Sequence, residues 1–407
     1  GCLAQKDGEV VAARAPWVDA VWGTYNVASA GELLRRAALT GERAVEILEA
    51  ATDDTELFPS ALPVRSDHPW AAWVTIQVGC DNSCAFCIVP SVRGPERSRP
   101  FSQIVSEVEA LARAGTVEVT LLGQNVNSYG RDLALAARAS QDWQAHVDDT
   151  GEEWAAQAGP RVRPLFADLL RAVSRVEGIR RVRFTSPHPK DLRPETIAAM
   201  AGEEAVCEHL HLPLQSGSDR VLAAMHRGYR AERYLERLRA AREAIPDLAV
   251  TTDVIVGFPG ETEDDFVATL EVVAEAGYDS AYTFIYSPRP GTEAAERVAD
   301  FIPAEVIAER FDRLRAVVER SALARHQARI GRVEEVIVEG PSKRDPAKVS
   351  GRTRQGKLVH LPAEPSLGPG AWAQARIVSA APHFLRGELV AVTSPRPVRT
   401  LIPVAAV

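Results

Sequence analysis

The chain has 407 residues, of which 46% are hydrophobic and 25% are charged. These values are typical of a globular protein and exclude a disordered chain. No apolar run approaches the length that spans a bilayer, which argues against a membrane protein.

The formal net charge of −8 hides a difference between the two ends of the chain. Residues 331–407 contain eleven Lys or Arg against six Asp or Glu, a net charge of +5, so the remainder carries −13. A basic module on an acidic body is the asymmetry expected where one module binds a polyanion. A basic surface that is merely solvated is an equally good interpretation of the charge alone.

The first 65 residues have the pattern of the end of an α/β unit. Val18–Trp22 is a short apolar strand, and helices are predicted at Ala30–Ala38 and Glu42–Ala51. An acidic, proline-containing segment, Thr52–His68, follows and is typical of a linker. The sequence begins at Gly1-Cys2 with no initiator Met, so we expect that it starts within a longer protein.

Residues 66–302 alternate between strand and helix patterns. Six strands are predicted, at Trp73–Val78, Val117–Leu122, Arg181–Thr185, His209–Leu214, Leu248–Val256 and Ser280–Tyr286. Helices are predicted between them, at Phe101–Ala114, Leu165–Val176, Pro194–Ala201, Ala231–Ala244 and Glu263–Ala276. Such alternation is typical of a parallel sheet, open or curled into part of a barrel. Active sites of these folds collect at the carboxyl ends of the strands.

Three segments depart from this alternation. Residues 131–163 form an insert rich in Ala, Asp and Glu, with Trp143 and Trp154, for which we predict a surface excursion. Residues 303–330 have the pattern of a long charged helix. Residues 331–407 change to short β-like runs, at Glu335–Glu339, Lys357–Leu361, Trp372–Ser379 and Leu389–Thr393. These runs favour a small β-barrel of a kind that often binds nucleic acid.

Three cysteines stand where the first strand of the alternating region ends. Cys80, Cys84 and Cys87 have C-x3-C-x2-C spacing. A loop of this length can fold round one corner of a cubane iron–sulfur cluster, with each thiolate on one iron, and the open fourth iron is a reactive site. Zinc is the alternative, but a closed zinc site needs a fourth ligand, and the nearest candidate, His68, lies before the strand. Clustered cysteines also indicate a reducing compartment, so we expect a cytoplasmic protein.

The cysteine loop, with Phe86 before its last cysteine, resembles that of the radical S-adenosylmethionine enzymes. Further motifs resemble the methylthiotransferase branch of that family, and within it the group that modifies tRNA. These motifs are Val89-Pro90, Arg93-Gly94, Ser98-Arg99-Pro100, Leu121-Leu122-Gly123-Gln124-Asn125-Val126-Asn127, Arg183-Phe184-Thr185-Ser186-Pro187-His188-Pro189, His211-Leu212-Pro213-Leu214-Gln215-Ser216-Gly217-Ser218, Asp253-Val254-Ile255-Val256-Gly257-Phe258-Pro259-Gly260-Glu261-Thr262 and Ser287-Pro288-Arg289-Pro290-Gly291-Thr292.

This resemblance implies an α/β fold centred on a partial (βα)6 radical S-adenosylmethionine barrel at residues 66–302. It further implies a remnant of an N-terminal α/β methylthiotransferase domain at residues 1–65, a linking helix at 303–330 and a small RNA-binding β-barrel, TRAM, at 331–407. The implied reaction inserts sulfur and adds a methyl group at C2 of N6-isopentenyladenosine beside the tRNA anticodon, with two molecules of S-adenosylmethionine. Ordinary base catalysis does not break an adenine C2–H bond, so the reaction needs a 5′-deoxyadenosyl radical.

The resemblance also implies the cofactor sites. Cys80, Cys84 and Cys87 are implied to hold a 4Fe-4S cluster whose open iron binds S-adenosylmethionine. The residues implied to contact S-adenosylmethionine are Phe86, Gly123, Gln124, Asn125, Ser186, Gln215, Asp253 and Ile255. Cys2 is implied to be the last of three ligands of a second 4Fe-4S cluster, the other two lying upstream of residue 1. Cys207 is expected to be a buried small hydrophobe instead.

Other residues leave two interpretations open. His209 and His211 alternate on one strand and either ligate a metal or form a satisfied core pair, the second being favoured. Aromatic residues on the last strand either stack a flipped adenine or pack in the core: Tyr282, Phe284 and Tyr286. Arginines after the cysteine loop either contact substrate phosphates or are solvated: Arg93, Arg97 and Arg99.

The implied partners are the anticodon stem-loop of tRNA and an electron donor such as a flavodoxin or ferredoxin, and we expect a monomer with no membrane association. Two other functions stay open: a methylthiotransferase that acts on a ribosomal protein, and a catalytically incomplete RNA-binding remnant. Removal of the residues after Ile330 is expected to weaken tRNA binding and to leave cofactor cleavage largely intact.

Overall fold

The computed structural model describes residues 1–27, 29–48, 68–139 and 163–394. Nearly all of the predicted linker, most of the 131–163 insert with both its tryptophans, and the last thirteen residues lie outside the described residues. Within the described ranges the chain forms an N-terminal α/β unit, a strand–helix barrel and a C-terminal β-barrel.

The N-terminal unit packs two helices against a two-stranded parallel sheet. Its elements are α1 (Cys2–Arg14), β1 (Ala20–Trp22), α2 (Ala30–Thr40) and β2 (Ala44–Glu46). The helix predicted at Glu42–Ala51 is wrong, because Ala44–Glu46 pairs in parallel with β1. Gly41, with φ of 70°, ends α2, and buried Ala44 packs on Leu33 and Ala37. Pairing and packing of the short segment therefore override its weak helical preference.

Six parallel strands form the central region. Its first strand is β3 (Ala71–Thr75), followed by an antiparallel pair, β4 (Gln77–Val78) and β5 (Arg97–Ser98). The remaining parallel strands are β6 (Glu118–Leu122), β7 (Arg181–Phe184), β8 (His209–His211), β9 (Ala249–Val256) and β10 (Ser280–Ile285).

The strands lie in sequence order, as a partial barrel requires. Two three-stranded sheets have the orders β3-β6-β7 and β8-β9-β10, and a parallel bridge between Val182 and Val206 joins them. In the described part of the chain β3 and β10 are the outer strands and do not pair with each other. The predicted partial (βα)6 barrel is confirmed, with an opening between its first and last strands.

Nine helices of the described ranges belong to the barrel region. They are α3 (Val89–Arg93), α4 (Phe101–Arg113), α5 (Arg131–Ala139), α6 (Phe166–Ser174), α7 (Pro194–Gly202), α8 (Asp219–Ala224), α9 (Ala231–Ala244), α10 (Glu263–Ala276) and α11 (Glu293–Glu296). A capping box between Thr262 and Asp265 begins α10, and Gly277, with φ of 55°, ends it. The main core lies between these helices and the outward faces of the strands.

The C-terminal module is a closed β-barrel. Helix α12 (Ala304–Gln327) leads into β11 (Val333–Pro341), β12 (Lys348–Thr353), β13 (Leu358–Pro362), β14 (Trp372–Ala380) and β15 (Leu385–Ser394). The strand order is β11-β12-β13-β15-β14, which confirms the predicted small barrel and adds β12 to the predicted strands. Every helix within the described ranges is too short or too polar to span a bilayer.

The C-terminal barrel docks against the amino ends of the central strands. Arg354 forms an ion pair with Glu208, which precedes β8, with N–O distances of 2.8 Å. Lys357 forms a buried ion pair of 2.6 Å with Asp279, which precedes β10. The turn Thr353–Lys357 therefore closes this end of the central barrel and leaves the carboxyl ends for the site.

Candidate active site

The cysteine loop begins directly after β4, at the carboxyl end of the first barrel strand. Gly79 has φ of 75°, and a Cβ there would clash with the Pro95 carbonyl, so the close turn into the loop requires glycine. Cys80, Cys84 and Cys87 are free thiols of intermediate exposure. The loop therefore lies at the end of the first barrel strand, as predicted from the sequence. Helix α3 begins directly after the loop.

Each of the three sulfurs accepts at least one hydrogen bond from an N–H group. The Asn82 amide lies 3.4 Å from Cys80 Sγ. An Arg227 guanidinium nitrogen lies 3.3 Å from Cys84 Sγ, and the Val89 backbone nitrogen lies 3.5 Å from Cys87 Sγ. Donors of this kind bind a thiolate more strongly than a thiol. The sulfurs therefore lie in surroundings that suit metal-bound thiolates.

Burial raises the pKa of Cys80 and of Cys87 above that of an ordinary thiol. A metal ion overcomes this effect, because a coordinating thiol is deprotonated outright. Among the described residues, no group of three or more His, Cys, Asp or Glu side chains could hold a single metal ion. A cubane binds each thiolate on a different iron, so three cysteines can hold a cluster without forming a site for a single metal ion. By donor type and hydrogen bonding the three cysteines fit a cluster.

The carboxyl end of β6 carries two amides with different surroundings. Asn125 is 2% exposed; its Nδ2 donates to Asp191 Oδ2 at 2.8 Å and its Oδ1 accepts from the His188 backbone at 3.2 Å. Gln124 Oε1 is buried and has no hydrogen-bond partner among the described residues. Of the two predicted cofactor residues, Gln124 has an acceptor for an incoming ligand, while Asn125 connects β6 to the segment after β7.

The next two strand ends have strained backbones. Ser186, after β7, has φ of 58°, and Gln215, after β8, has φ of 67°. Only one other non-glycine residue in the described ranges, His226, has a positive φ. Such conformations cost about 1–3 kcal/mol each and cluster at ligand sites. Both residues were predicted to contact the cofactor, and the unusual backbone at the same positions fits that role.

Phe86 and Ile255 lie in one apolar cluster beside the cysteine loop. Its members also include Phe258, whose ring lies edge-on to Phe86 at 6.5 Å between centroids, and Met225. Asp253, two residues before Ile255 on β9, faces the barrel interior, where its carboxylate lies 3.4 Å from His211 Nε2. The structure thus groups Ile255 with Phe86, while the carboxylate of Asp253 has His211 as its partner in the cavity.

A cavity of about 640 Å³ occupies the interior of the barrel. It extends from the turn that carries Lys357, at the amino ends of the strands, to Ser186 at a carboxyl end. Trp73 on β3 and Tyr282 on β10, the two outer strands, line it and are 71% and 60% exposed. Two aromatic rings therefore flank the lateral opening of the barrel. The sequence analysis identified Tyr282 as a candidate but missed Trp73. Trp73 could have been found as an aromatic residue on the other outer strand, β3.

Two families match the chain in succession. The Radical SAM superfamily matches residues 74–273, and the TRAM domain matches residues 327–390. A tRNA-2-methylthio-N(6)-dimethylallyladenosine synthase 1 from Mycobacterium marinum is 51% identical over 391 residues, which cover 95% of this chain and 70% of the relative. The chain belongs to this family of synthases. A second member, from Acidothermus cellulolyticus, is 49% identical over 393 residues, which cover 96% of this chain and 72% of that protein.

Membership of the synthase family confirms the resemblance drawn from the motifs, including the tRNA-modifying group. Radical SAM membership also implies a 4Fe-4S cluster and S-adenosylmethionine. Among solved structures, the radical S-adenosylmethionine methyltransferase TsrM from Kitasatospora setae, with tryptophan substrate and a SAM analog bound, has a TM-score of 0.42 and 17% identity, covering 58% of this chain and 42% of that one.

In this member of the family, Cys2 lies against the segment that follows the cysteine loop. Its sulfur accepts a hydrogen bond from Arg93 Nε at 3.3 Å, and Arg93 is the last residue of α3. Thr24 of the N-terminal unit donates to the Val92 carbonyl at 2.6 Å. The predicted auxiliary ligand therefore lies next to the element that the cluster loop leads into, although the two sites are far apart in sequence.

Other residues singled out in the sequence have structural surroundings. Cys207 is 2% exposed, which confirms the buried hydrophobe. Arg99 is 7% exposed and forms an ion pair with buried Glu107, so it is not a solvated arginine. His211 Nδ1 lies 3.0 Å from Thr251 Oγ1, and His209 Nε2 lies 3.3 Å from the same oxygen. The two histidines are hydrogen-bonded, as the favoured interpretation of a satisfied pair requires. They line the cavity, however, and do not lie in the core.

Proposed function

We propose that this chain is a tRNA methylthiotransferase that forms the 2-methylthio group on N6-isopentenyladenosine beside the anticodon. The observation that carries the proposal is the cysteine loop at the carboxyl ends of the barrel strands, in a chain 51% identical to a synthase named for this product. The TRAM match at residues 327–390 supports RNA as the substrate. The relatives' names favour tRNA over a ribosomal protein.

Cys80, Cys84 and Cys87 would hold the 4Fe-4S cluster. Bound there, the cluster supplies the electron that splits S-adenosylmethionine and so makes radical attack on a C–H bond available. Ser186 and Gln215 present strained backbone toward the same end of the barrel. The unpartnered Gln124 oxygen would accept from the amino group of the cofactor. Phe86 and Ile255 would give its adenine an apolar surface.

The cavity would receive the target nucleoside through the lateral opening. Aromatic rings stack on bases at about 1–3 kcal/mol per base, so Trp73 and Tyr282 are suited to hold a flipped adenine at the entrance. Arg352 and His383 of the C-terminal module line the same cavity. RNA bound to that module would therefore lie next to the entrance, and both modules would contact the substrate.

Further parts of the proposal come from the resemblance. Cys2 would be one ligand of an auxiliary cluster that supplies the sulfur, and its contact with Arg93 supports a location near the radical site. The electron donor would be a flavodoxin or ferredoxin. The enzyme would act as a cytoplasmic monomer on the anticodon stem-loop.

Anaerobic reconstitution with iron and sulfide tests the proposal. Wild type should bind a four-iron cluster and cleave S-adenosylmethionine, Cys84→Ala should do neither, and Cys207→Ala, which changes a buried thiol outside the loop, should do both. The product is then tested by mass analysis of tRNA nucleosides from a strain that lacks its own enzyme, with any coding sequence upstream of Gly1 included. A methylthio group found on a ribosomal protein and not on tRNA would contradict the substrate assignment.

A further inference from the structure

A short segment after α8 packs against the outer side of the cysteine loop. The Ala85 backbone nitrogen donates to the Met225 carbonyl at 3.1 Å. The next residue, His226, lies with its Nδ1 3.0 Å from the Ser83 carbonyl oxygen. His226 has φ of 57°, a strained conformation that persists only where the surrounding contacts enforce it. The segment therefore holds the loop by backbone and side-chain contacts on both sides of Cys84.

Arg227 continues this segment into direct contact with a cysteine sulfur. It is 6% exposed, and its Nη1 lies 3.3 Å from Cys84 Sγ. Its Nε donates to the Tyr229 hydroxyl at 3.3 Å, and that hydroxyl donates to the Leu214 carbonyl at 2.8 Å. One guanidinium thus connects a cysteine of the loop to the strand end that carries Gln215.

The charge of Arg227 lacks the usual partner. In the described ranges Arg227 forms no ion pair with a carboxylate, although a buried arginine is almost always paired. Instead, Nη1 of its guanidinium group contacts the Cys84 sulfur. Thiolates bound to iron carry the negative charge that this buried cation lacks.

We infer that Arg227 is a positioning residue that fixes Cys84 and stabilises the reduced state of the cluster on this loop, an inference that rests on the proposed function. Reduction adds one electron to the cluster and breaks no bond, and a low-potential donor, dithionite in the test, supplies the electron. Hydrogen bonds to cluster sulfurs are one of the factors that set the reduction potential. A cationic donor at Cys84 favours the more negative, reduced state and so raises the potential.

The test is an anaerobic redox titration of reconstituted protein, followed by the electron paramagnetic resonance signal of the reduced cluster. Arg227→Gln removes the charge, and we expect at least a tenfold loss in the reduction equilibrium, a fall in potential of about 59 mV for one electron. Arg227→Lys keeps the charge, but an ammonium does not present the fork that contacts Cys84 and Tyr229 together, so its potential should lie between the two. Arg230→Gln, an exposed arginine three residues on, should match wild type.

The outcomes separate this inference from the proposed function. If wild type assembles no four-iron cluster, the proposed function fails. If wild type assembles one and Arg227→Gln has the wild-type potential at full iron content, the inference about Arg227 is overturned while the proposed function stands. If Arg227→Gln takes up no iron, Arg227→Lys decides: a potential below that of wild type supports the inference, and an unchanged value overturns it.

Discussion

Gln124 and Asn125 are neighbours at the end of β6, yet their side chains make different contacts. Both Asn125 polar atoms are bonded within the protein, so Asn125→Ala would leave the His188 backbone N–H unsatisfied. We expect it to lower the free energy of unfolding by about 2 kcal/mol in urea titrations. Gln124→Ala removes an unpartnered oxygen, so it should leave stability nearly unchanged and weaken binding of S-adenosylmethionine to the reconstituted enzyme. Equal stability losses in both variants would contradict this division.

Glu96 gives the fold a pH dependence near neutrality. Burial raises the pKa of its carboxyl from 4.5 to about 7, and nearby Asp81 adds to the effect. Between these values the folded chain holds a proton that the unfolded chain has released. The free energy of unfolding should therefore fall as pH rises through this window, by at most about 1.4 kcal/mol per pH unit.

Glu96→Gln should flatten that slope, as measured by urea unfolding at pH 5 and pH 8. Glu109→Gln is the matched control, because Glu109 lies half-exposed on α4 in an ion pair with Arg113. A slope in Glu96→Gln as steep as that in the control would show that another group is responsible.

At the scale of elements, the turn that closes the amino end of the central barrel is held by a buried charge pair. Lys357 and Asp279 are 3% and 8% exposed in their side chains and lie 2.6 Å apart. Lys357→Met would leave the aspartate buried without a cation, and losses of about 3–5 kcal/mol are typical of such changes. Lys348 and Asp345 form a pair of the same length in the same module at 41% and 40% exposure.

Lys348→Met is therefore the control, with an expected loss of about 0–1 kcal/mol. Thermal or urea unfolding of both variants measures the difference. Similar losses in the two would mean that burial of the Lys357 pair does not decide its contribution.

Local patterns predicted most elements but not their neighbours. The alternation of buried and partly exposed residues on β9 can be recognised in the sequence because side chains of a strand repeat every two residues. The apolar face of α4 can be recognised because side chains of a helix repeat every 3.6 residues. Strand β12 has no such signal, since Gly351 sits on its inward face, where a Cβ would clash with the Ile337 carbonyl. It exists because β11 and β13 pair with it.

Within the site, sequence reasoning identified residues and not their energetics. The cysteine spacing and the family motifs located the loop, Ser186 and Gln215. The left-handed backbone at these two positions depends on contacts between strands that no local pattern reveals. Arg227 is 143 residues from Cys84, so its contact with the sulfur is likewise a product of the fold.

At the scale of the whole molecule, the basic character of the C-terminal module has two parts. Several of its cations pair with acidic residues of the central barrel region, namely Arg332 with Asp247, Arg354 with Glu208 and Lys357 with Asp279. The basic residues that make the C-terminal module positively charged therefore also hold the two modules together, through ion pairs. Removal of the residues after Ile330 would open the amino end of the barrel as well as remove an RNA surface, so point variants are the cleaner test.

Two cations on the outward face of the C-terminal barrel are available to bind RNA. Arg376 of β14 and Arg386 of β15 are exposed, and within the described part of the chain neither forms an ion pair. If they bind phosphates, the double variant Arg376→Ala with Arg386→Ala should weaken tRNA binding. It should also reduce the slope of log K against log salt by about 0.7 for each phosphate that is no longer neutralised, since fewer counterions are released. Cleavage of S-adenosylmethionine without tRNA should not change.

Arg239→Ala supplies the control for this experiment, because Arg239 is an exposed arginine on α9, paired with Glu275 and far from the C-terminal barrel in sequence. Filter binding of an anticodon stem-loop at a series of salt concentrations measures both slopes. If the slope of the double variant equals that of wild type and of Arg239→Ala, the outward face of β14 and β15 is not the surface that binds RNA. The phosphates would then have to be bound by another part of the enzyme, such as the arginines that follow the cysteine loop.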